Sequence, residues 1–375
     1  MKNKETGAKI IFGVFLAVIC FSWVWWLVFQ RFTDTTNYEN RELAAAPSLS
    51  LESYTTFASD FTDYFNDRIP FRNALIRLNN SIDYFVANQS SNPNVIKGED
   101  GWLFYTDPDQ GDSLGAYQGM NLYTEDELAI IAANCVAQKD FLAAQGKEFV
   151  LFIAPNKMRV YSEYMPLMYG ESADLYPALQ VYEYLKSNTD VRVVYPNEAL
   201  IDAKSMVSEN LYFHTDTHWN QIGAYVGARE LLTELGVDIP AVNDSALSIM
   251  PLSDYYGDLA NMLGLGHELQ GSDYVYHVEG YDLHNCEILT QNPFGRSAYH
   301  SSGGDPRSCY MICDSYGPYM SEYIGSQFSD TVVQYANSFD YADLSSGNPD
   351  IVVYEVVERF VERLATFSIE NSNVN

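Results

Sequence analysis

The sequence predicts an α/β fold built on a doubly wound parallel sheet. Three observations carry this. Short apolar strands recur at 149–153, 191–195, 309–313, 332–335 and 351–354, and the run at 149–153 is continuous rather than alternating, as a strand buried on both faces is. Helical patterns separate several of these runs, and strand–helix alternation implies parallel pairing with crossovers. Apolar residues make up 47% of 375, enough for a sizeable core, which excludes disorder as the main description. Such sheets place ligands at the carboxyl ends of their strands.

Residues 1–9 read as a cytoplasmic tail carrying Lys2, Lys4 and Lys9. Residues 10–29 hold no charge and are long enough to span a bilayer core. The preceding lysines put the N-terminus in the cytoplasm and the bulk of the chain outside it. Trp23, Trp25 and Trp26 suit a membrane interface. A cleaved signal peptide is the rival reading, but the nearest small-residue site, Ala44-Ala45-Ala46, lies well downstream. The expectation is a single-pass anchor in the cell membrane. Residues 30–90 read as a stem and helical segment, with helical spacing over 51–87 broken at Pro70, which can sit in a first helical turn. A Ser/Asn/Pro patch at 89–94 marks a boundary, and 91–375 forms the main domain.

Within that domain, Thr124-x-x-Glu127 is a capping-box signal for a helix ending near Gly146. Further helices are expected over 173–186, over 220–235 and just after the strand at 309–313. No internal repeat or low-complexity tract is present.

Fifty acidic against 21 basic residues give a formal net charge of -29. That argues against nucleic acid and against lying flat on an anionic membrane surface. It is compatible with a neutral or cationic partner. The 29 tyrosines suit a sugar-facing surface, and a core and its rim use tyrosine equally. Of five cysteines, Cys20 lies in the apolar N-terminal run; Cys135, Cys286, Cys309 and Cys313 show no C-x-x-C or zinc spacing. Cys309 and Cys313 lie too far apart along a strand to pair well. No metal or cofactor is expected.

Three motifs are candidates for chemistry. Gly111-Asp112-Ser113-Leu114 spells the nucleophile string of a lipase-like family. The residues before it, Thr106-Asp-Pro-Asp-Gln110, cannot form the strand that would fix such a serine, and no histidine has Asp three residues before it, so it reads as a polar loop. Asp314-Ser315 has the better context: an apolar strand, a small polar turn, then Tyr316-Gly317, a turn that exposes a hydroxyl near amide donors. A structural helix cap is the bland alternative. His214-Thr-Asp216-Thr-His218-Trp219-Asn220 supplies a base and its orienter: His218 to take a proton from serine, Asp216 to fix its tautomer. A metal site of His214, Asp216 and His218, or a loop without chemistry, remain open.

The chain resembles the alginate O-acetyltransferase branch of the SGNH hydrolase superfamily, which includes the DHHW proteins. The matching pieces are Glu39-Asn40-Arg41-Glu-Leu43 with Pro47; Phe65-Asn-Asp67-Arg68 with Pro70-Phe71-Arg72; Gly98-Glu-Asp100-Gly101-Trp102-Leu-Phe-Tyr105; and Ala154-Pro155-Asn156-Lys157 with Tyr161 and Pro166. They continue through Asp216-Thr-His218-Trp219-Asn220, Gly257-Asp258-Leu259, Asp314-Ser315-Tyr316, Pro349-Asp350 and Glu358-Arg359. The Asp/His element precedes the serine, the order permuted relative to other SGNH enzymes. Two departures stand out: Cys313 where the family usually has Gly, and Thr217 at the motif's second position.

The resemblance implies Ser315 as nucleophile, His218 as base and Asp216 as its orienter. Asn156 is offered as an oxyanion donor or a turn residue, and Gly257 as a backbone donor or an ordinary turn. Trp219 either stacks on sugar or packs. Arg359, Lys157 and Asp258 are motif residues, Arg359 being placed with the substrate-binding group. The implied activity is serine-dependent transfer of acetyl groups onto a surface or secreted polysaccharide, fed by a membrane-bound O-acyltransferase. A carbohydrate acetyl-esterase with the same triad, or a non-catalytic scaffold of a polysaccharide-modification assembly, are the alternatives.

Overall fold

The computed structural model describes residues 11–17, 21, 24–25, 28–29, 43–48, 50, 54–68, 71–251, 257–279 and 286–374. Much of the expected membrane run at 10–29 and of the stem lies outside them. Among the described residues, no helix is long and apolar enough to cross a membrane. The chain divides into two compact units, 1–91 with 261–266, and 92–260 with 267–375.

The first unit contains α1 (Phe57–Asp67) and α2 (Arg72–Phe85). The second helix begins at Arg72, after Phe71 in a left-handed conformation; Pro70 lies outside the described residues. Asp67 and Arg68 clasp one residue: Ala44 N–H donates to Asp67 Oδ2 at 2.8 Å, and Arg68 Nη1 donates to the Ala44 carbonyl at 2.8 Å.

The second unit opens with the hairpin β1 (Val95–Lys97) and β2 (Leu103–Tyr105) and a short helix α3 (Ser113–Tyr117). Then come α4 (Glu125–Ala143), β3 (Glu148–Ala154), α5 (Lys157–Val160), α6 (Pro177–Asn188), β4 (Arg192–Val194), α7 (Asn197–Ala203) and α8 (Gln221–Glu234). A second hairpin, β5 (Leu247–Pro251) with β6 (Tyr274–Val278), brackets α9 (Asp258–Met262). The chain closes with β7 (Glu287–Thr290), β8 (Arg296–His300), β9 (Asp305–Cys313), α10 (Ser321–Gly325), β10 (Phe328–Tyr335), α11 (Tyr341–Gly347) and β11 (Ile351–Val357).

Local signals set these bounds. Thr124 and Glu127 form the expected capping box at the start of α4. Pro177 occupies the first turn of α6, where its missing N–H costs nothing. Asn220 caps α8, its Oδ1 accepting from Ile222 N–H at 2.9 Å and Gly223 N–H at 3.2 Å.

The main sheet has seven strands in the order β4-β3-β11-β9-β10-β8-β7. The five from β4 to β10 are parallel; β8 pairs antiparallel with both β10 and β7. The sheet is therefore mixed, not wholly parallel as the sequence suggested. The cause is connection length: residues 301–304 join β8 to β9 and 291–295 join β7 to β8, too few for a crossover.

The central strands bury both faces. Val150, Phe152, Met311, Val353 and Val357 face a core completed by α8, while Leu151, Ile153, Ile312, Val352 and Val356 face one completed by α4 and α6. This two-sided burial is why these strands read as unbroken apolar runs. The strand ends that result, at Ala154, Cys313 and Val357, lie side by side and present residues 155–156, 314–315 and 358–359 at one edge of the sheet.

Helix α8 seats tightly against the segment preceding it. A Cβ at Gly223 would lie 2.3 Å from the Leu211 carbonyl oxygen. Gly223→Ala should therefore lower unfolding stability by about 1–3 kcal/mol, although alanine is the better helix former; chemical denaturation measures this, and an unchanged or raised midpoint contradicts the close seating.

Candidate active site

Strand β9 ends at Cys313, and Asp314 ties that end to β11. Its N–H donates to Glu355 Oε2 at 2.9 Å, and its Oδ2 accepts from Val357 N–H at 2.7 Å. Its Oδ1 accepts from Tyr316 N–H at 2.9 Å, closing a tight turn around Ser315, which is partly exposed. Gly317 follows because a Cβ there would lie 2.3 Å from that of Cys313. Cys313 fills the space behind the turn. Burial, then the Glu355 and Asp314 charges, push its thiol well up, so it is packing and not a second nucleophile. Burial and the adjacent Asp314 likewise push the Glu355 carboxyl well above its usual range.

The second element is the loop between Leu211 and Asn220, closed by a bridge between Tyr212 and Trp219. Asp216 is buried. Its Oδ1 accepts from His218 N–H at 3.0 Å and lies 2.6 Å from His218 Nδ1, and its Oδ2 accepts from Asp258 N–H at 2.9 Å. Burial pulls the His218 imidazole down, but the Asp216 charge and hydrogen bond, with help from Asp258, raise it above its ordinary value. Asp258 Oδ1 accepts from Thr217 N–H at 2.8 Å, and its Oδ2 accepts from the Thr217 hydroxyl. Beneath the loop, buried Lys157 donates to the carbonyls of Phe213, His214 and Asp216 at 3.0, 3.1 and 2.6 Å. Burial lowers its ammonium from 10.5 to about 8, against the pull of Asp273, Asp216 and Asp258.

Two hydrogen bonds join the elements reciprocally. Trp219 Nε1 donates to the Tyr316 carbonyl at 3.1 Å, and the Tyr316 hydroxyl donates to the Thr217 carbonyl at 2.7 Å. His218 and Ser315 then line one cavity of about 300 Å³ with Pro293, Phe294, Pro318 and Tyr319. The Tyr319 ring stacks on His218 at 5.5 Å, and His218 Nε2 has no hydrogen-bond partner.

The other sequence candidates lie elsewhere. Asn156 and Arg359 meet, Arg359 Nη1 donating to Asn156 Oδ1 at 3.2 Å, in a separate cleft of about 10 Å³ shared with Thr217 and Tyr316. Asn156 Nδ2 and Arg359 Nε carry no partner there. Trp219 is fully buried, so it offers no face to a sugar and its role is packing. Gly257 is required by proximity: a Cβ would sit 2.1 Å from the Thr215 carbonyl oxygen, and this packing carries Asp258 N–H to Asp216. Ser113 is buried at the start of α3 and donates to the Tyr105 carbonyl at 2.8 Å, so its hydroxyl is committed to the loop.

His214 points away from the pair. Its Nδ1 is 3.5 Å from Asp273 Oδ1 and its ring packs on Trp102 at 4.4 Å. A cation at this place would draw on Asp216, His218 and Asp258, whose ligand atoms lie within 4.8 Å, rather than on His214. Both carboxylates already accept hydrogen bonds from the loop, which fits a hydrogen-bonded relay at least as well as a metal shell.

Sequence reasoning had no role for Lys157 or Asp258, and it passed over Glu355 and Phe294. Glu355 had a signal, an acid inside a seven-residue strand that is otherwise apolar or aromatic. Phe294 had none beyond an Asn-Pro-Phe-Gly turn.

An α/β sheet whose β9 end carries Ser315 in one cavity with His218 and its partner Asp216 defines an SGNH-hydrolase-like domain. Residues 95–282, half of the chain, match the family model of the SGNH hydrolase-like domain of acetyltransferase AlgX, and the chain belongs to that family. The match spans Asp216, His218 and Asp258 and ends before Ser315. The protein named probable alginate O-acetylase AlgJ of Pseudomonas syringae pv. tomato is 25% identical over 206 residues, 54% of this chain and 49% of that protein. Its namesake from Pseudomonas putida is 29% identical over 190 residues, 49% and 46%. The chain thus spans about half the length of these curated relatives. A DHHW family protein from Eubacterium siraeum shares the fold, with TM-score 0.51 and 16% identity over 76% of this chain and 99% of that one.

If His218 must be neutral to accept a proton, activity rises with pH through a midpoint above 6.5 and then levels. Asp216→Asn removes the charge that raises it, leaving burial to lower the midpoint, and should cut kcat/KM by about 10²-fold or more. A pH–rate profile of ester hydrolysis tests this; an unmoved midpoint excludes Asp216 as the orienter.

Proposed function

We propose that this protein is a membrane-anchored, extracytoplasmic O-acetyltransferase that moves acetyl groups through an acyl-Ser315 onto a surface or secreted polysaccharide. The observation that carries the proposal is the cavity shared by Ser315 and an Asp216-oriented His218 whose Nε2 has no partner. Ser315 Oγ attacks the acetyl carbonyl while its proton passes to His218 Nε2, and Asp216 stabilises the imidazolium. Collapse of the tetrahedral intermediate breaks the bond to the donor's leaving group, which takes the proton. A sugar hydroxyl then attacks the acetyl-serine, gives its proton to His218 and departs as the acetyl ester, Ser315 recovering that proton.

Asn156, in the adjoining cleft that Tyr316 also lines, is the side-chain donor proposed for the oxyanion through its Nδ2. Arg359 holds the amide's oxygen, which leaves the NH2 end free. The names of the relatives, probable alginate O-acetylases, support transfer over plain hydrolysis. A membrane-bound O-acyltransferase is the proposed acetyl donor. The uncharged run at 10–29 would hold the domain near it, raising its effective concentration.

Ser315→Ala and His218→Ala should each lower acetyl transfer at least about 10³-fold with unfolding midpoints retained. Ser113→Ala should leave transfer unchanged. Mass spectrometry after incubation with a chromogenic acetyl ester should find acetyl on Ser315; transfer that survives Ser315→Ala refutes the nucleophile, and an adduct that only hydrolyses favours the esterase. For the anchor, full-length protein should stay in the membrane pellet after alkaline carbonate, with its C-terminal part reached by protease from outside; release into the supernatant sinks that part of the proposal.

A further inference from the structure

Among the described residues no lysine or arginine lines the cavity at Ser315, and this bears on what the acceptor is. The inference rests on the proposed transferase reading. Of the six residues lining the cavity, none is Lys or Arg. The sequence supplies none nearby along the chain either: from Glu230 to Gly295, a stretch that includes Asp258, β7 and the Phe294 turn, there is no lysine or arginine. Two cations near the site, Lys157 under the Asp216 loop and Arg359 on Asn156, lie outside that lining. Lys157 gives its three donors to three loop carbonyls. Arg359 sits on Asn156 in a cleft of about 10 Å³, room for about one water. A net charge of -29 adds long-range repulsion toward any polyanion.

What the cavity offers instead is an aromatic wall. Phe294 is 77% exposed, yet its turn is braced: Asn292 N–H donates to Ser297 Oγ at 3.1 Å, Gly295 N–H to the Asn292 carbonyl at 3.0 Å, and Tyr335 N–H to the Gly295 carbonyl at 2.7 Å. Its ring meets Tyr335 edge-on at 6.2 Å. A large apolar ring held out at the mouth of a reactive cavity marks a recognition surface. Tyr319, stacked on His218, faces the same space.

We propose that the acceptor is an uncharged pyranose polymer whose ring packs on Phe294, and not a polyuronate. A uronate carboxylate entering here would lose hydration and find no Arg or Lys to replace it. The apolar face of a neutral sugar ring loses little and gains contact with Phe294. The chain would thus share its family's domain while differing in acceptor from relatives named for alginate.

A single-variable comparison tests this. Full-length protein in detergent is given 4-nitrophenyl acetate as donor, with either a cello-oligosaccharide or the same oligomer oxidised at C6 to the uronate. Acetylated oligomer is read by mass spectrometry. The neutral oligomer should be acetylated with kcat/KM at least about tenfold higher. Phe294→Ala should raise its KM about fivefold or more, by a larger factor than it lowers kcat, and Phe294→Tyr should restore it. Equal or better use of the oxidised oligomer, an unmoved KM in Phe294→Ala, or no transfer to either oligomer overturns the proposal. Ser315→Ala in the same assay separates the two layers. If it hydrolyses the ester as well as wild type, the transferase reading itself has failed. If it is inactive while wild type hydrolyses but spares the neutral oligomer, only the acceptor proposal has failed.

Discussion

The geometry of the site depends on the paired hydrogen bonds between Tyr316 and the His218 loop. Trp219 Nε1 reaches the Tyr316 carbonyl, and the Tyr316 hydroxyl reaches the Thr217 carbonyl. Both partners are fully buried. Inside a dry core such bonds are electrostatically strong, and breaking either would strand a polar group. Residues 97 positions apart are thereby held against one another. Trp219 also packs on α8, where Gly227 leaves room for its ring, so the loop, the helix and the serine turn are packed together.

Around this latch the fold places charge where water is scarce. Lys157 is satisfied by three carbonyls rather than by a carboxylate, which lets it hold the loop while the nearby Asp216 stays directed at His218. Glu355 receives the Asp314 N–H behind the serine turn, its carboxyl pushed up by burial and by Asp314. Asp314 in turn binds the ends of β9 and β11 into one edge. These buried groups act on the geometry of the turn and the loop, since none of them lines the cavity that Ser315 shares with His218. The surface contrasts with this interior: the chain is strongly acidic, and among the described residues the cavity is lined by aromatic rings and by no lysine or arginine.

Much of this was legible locally. The apolar runs of β3, of β11 and of the end of β9 announced themselves because two-sided burial removes polar alternation. Thr124 with Glu127 marked a helix start through chemistry confined to one turn, and the helix expected from 220 begins after Asn220, while the one expected from 173 begins at Pro177. The short strands β7 and β8 escaped notice because they pair at the sheet's edge, where burial is partial and β7 is exposed throughout. Ser113 could be set aside because no strand leads directly into it, and its buried hydroxyl serves the Tyr105 carbonyl.

The sequence by itself determined the α/β class, the elements of the central sheet, and the spacing of Asp216 with His218 that lets one residue's side chain meet the other's across two positions. Periodicity and capping act over a few residues, and so a linear reading captures them. Only the tertiary structure decided that β8 and β7 pair antiparallel, that Trp219 and Gly257 are packing residues, that His214 turns to Asp273 while Asp258 turns to Asp216, and that Phe294 and Ser315 line one cavity. Each of these depends on contacts between segments far apart in the chain, set by strand order and by which side chains the core has room to bury.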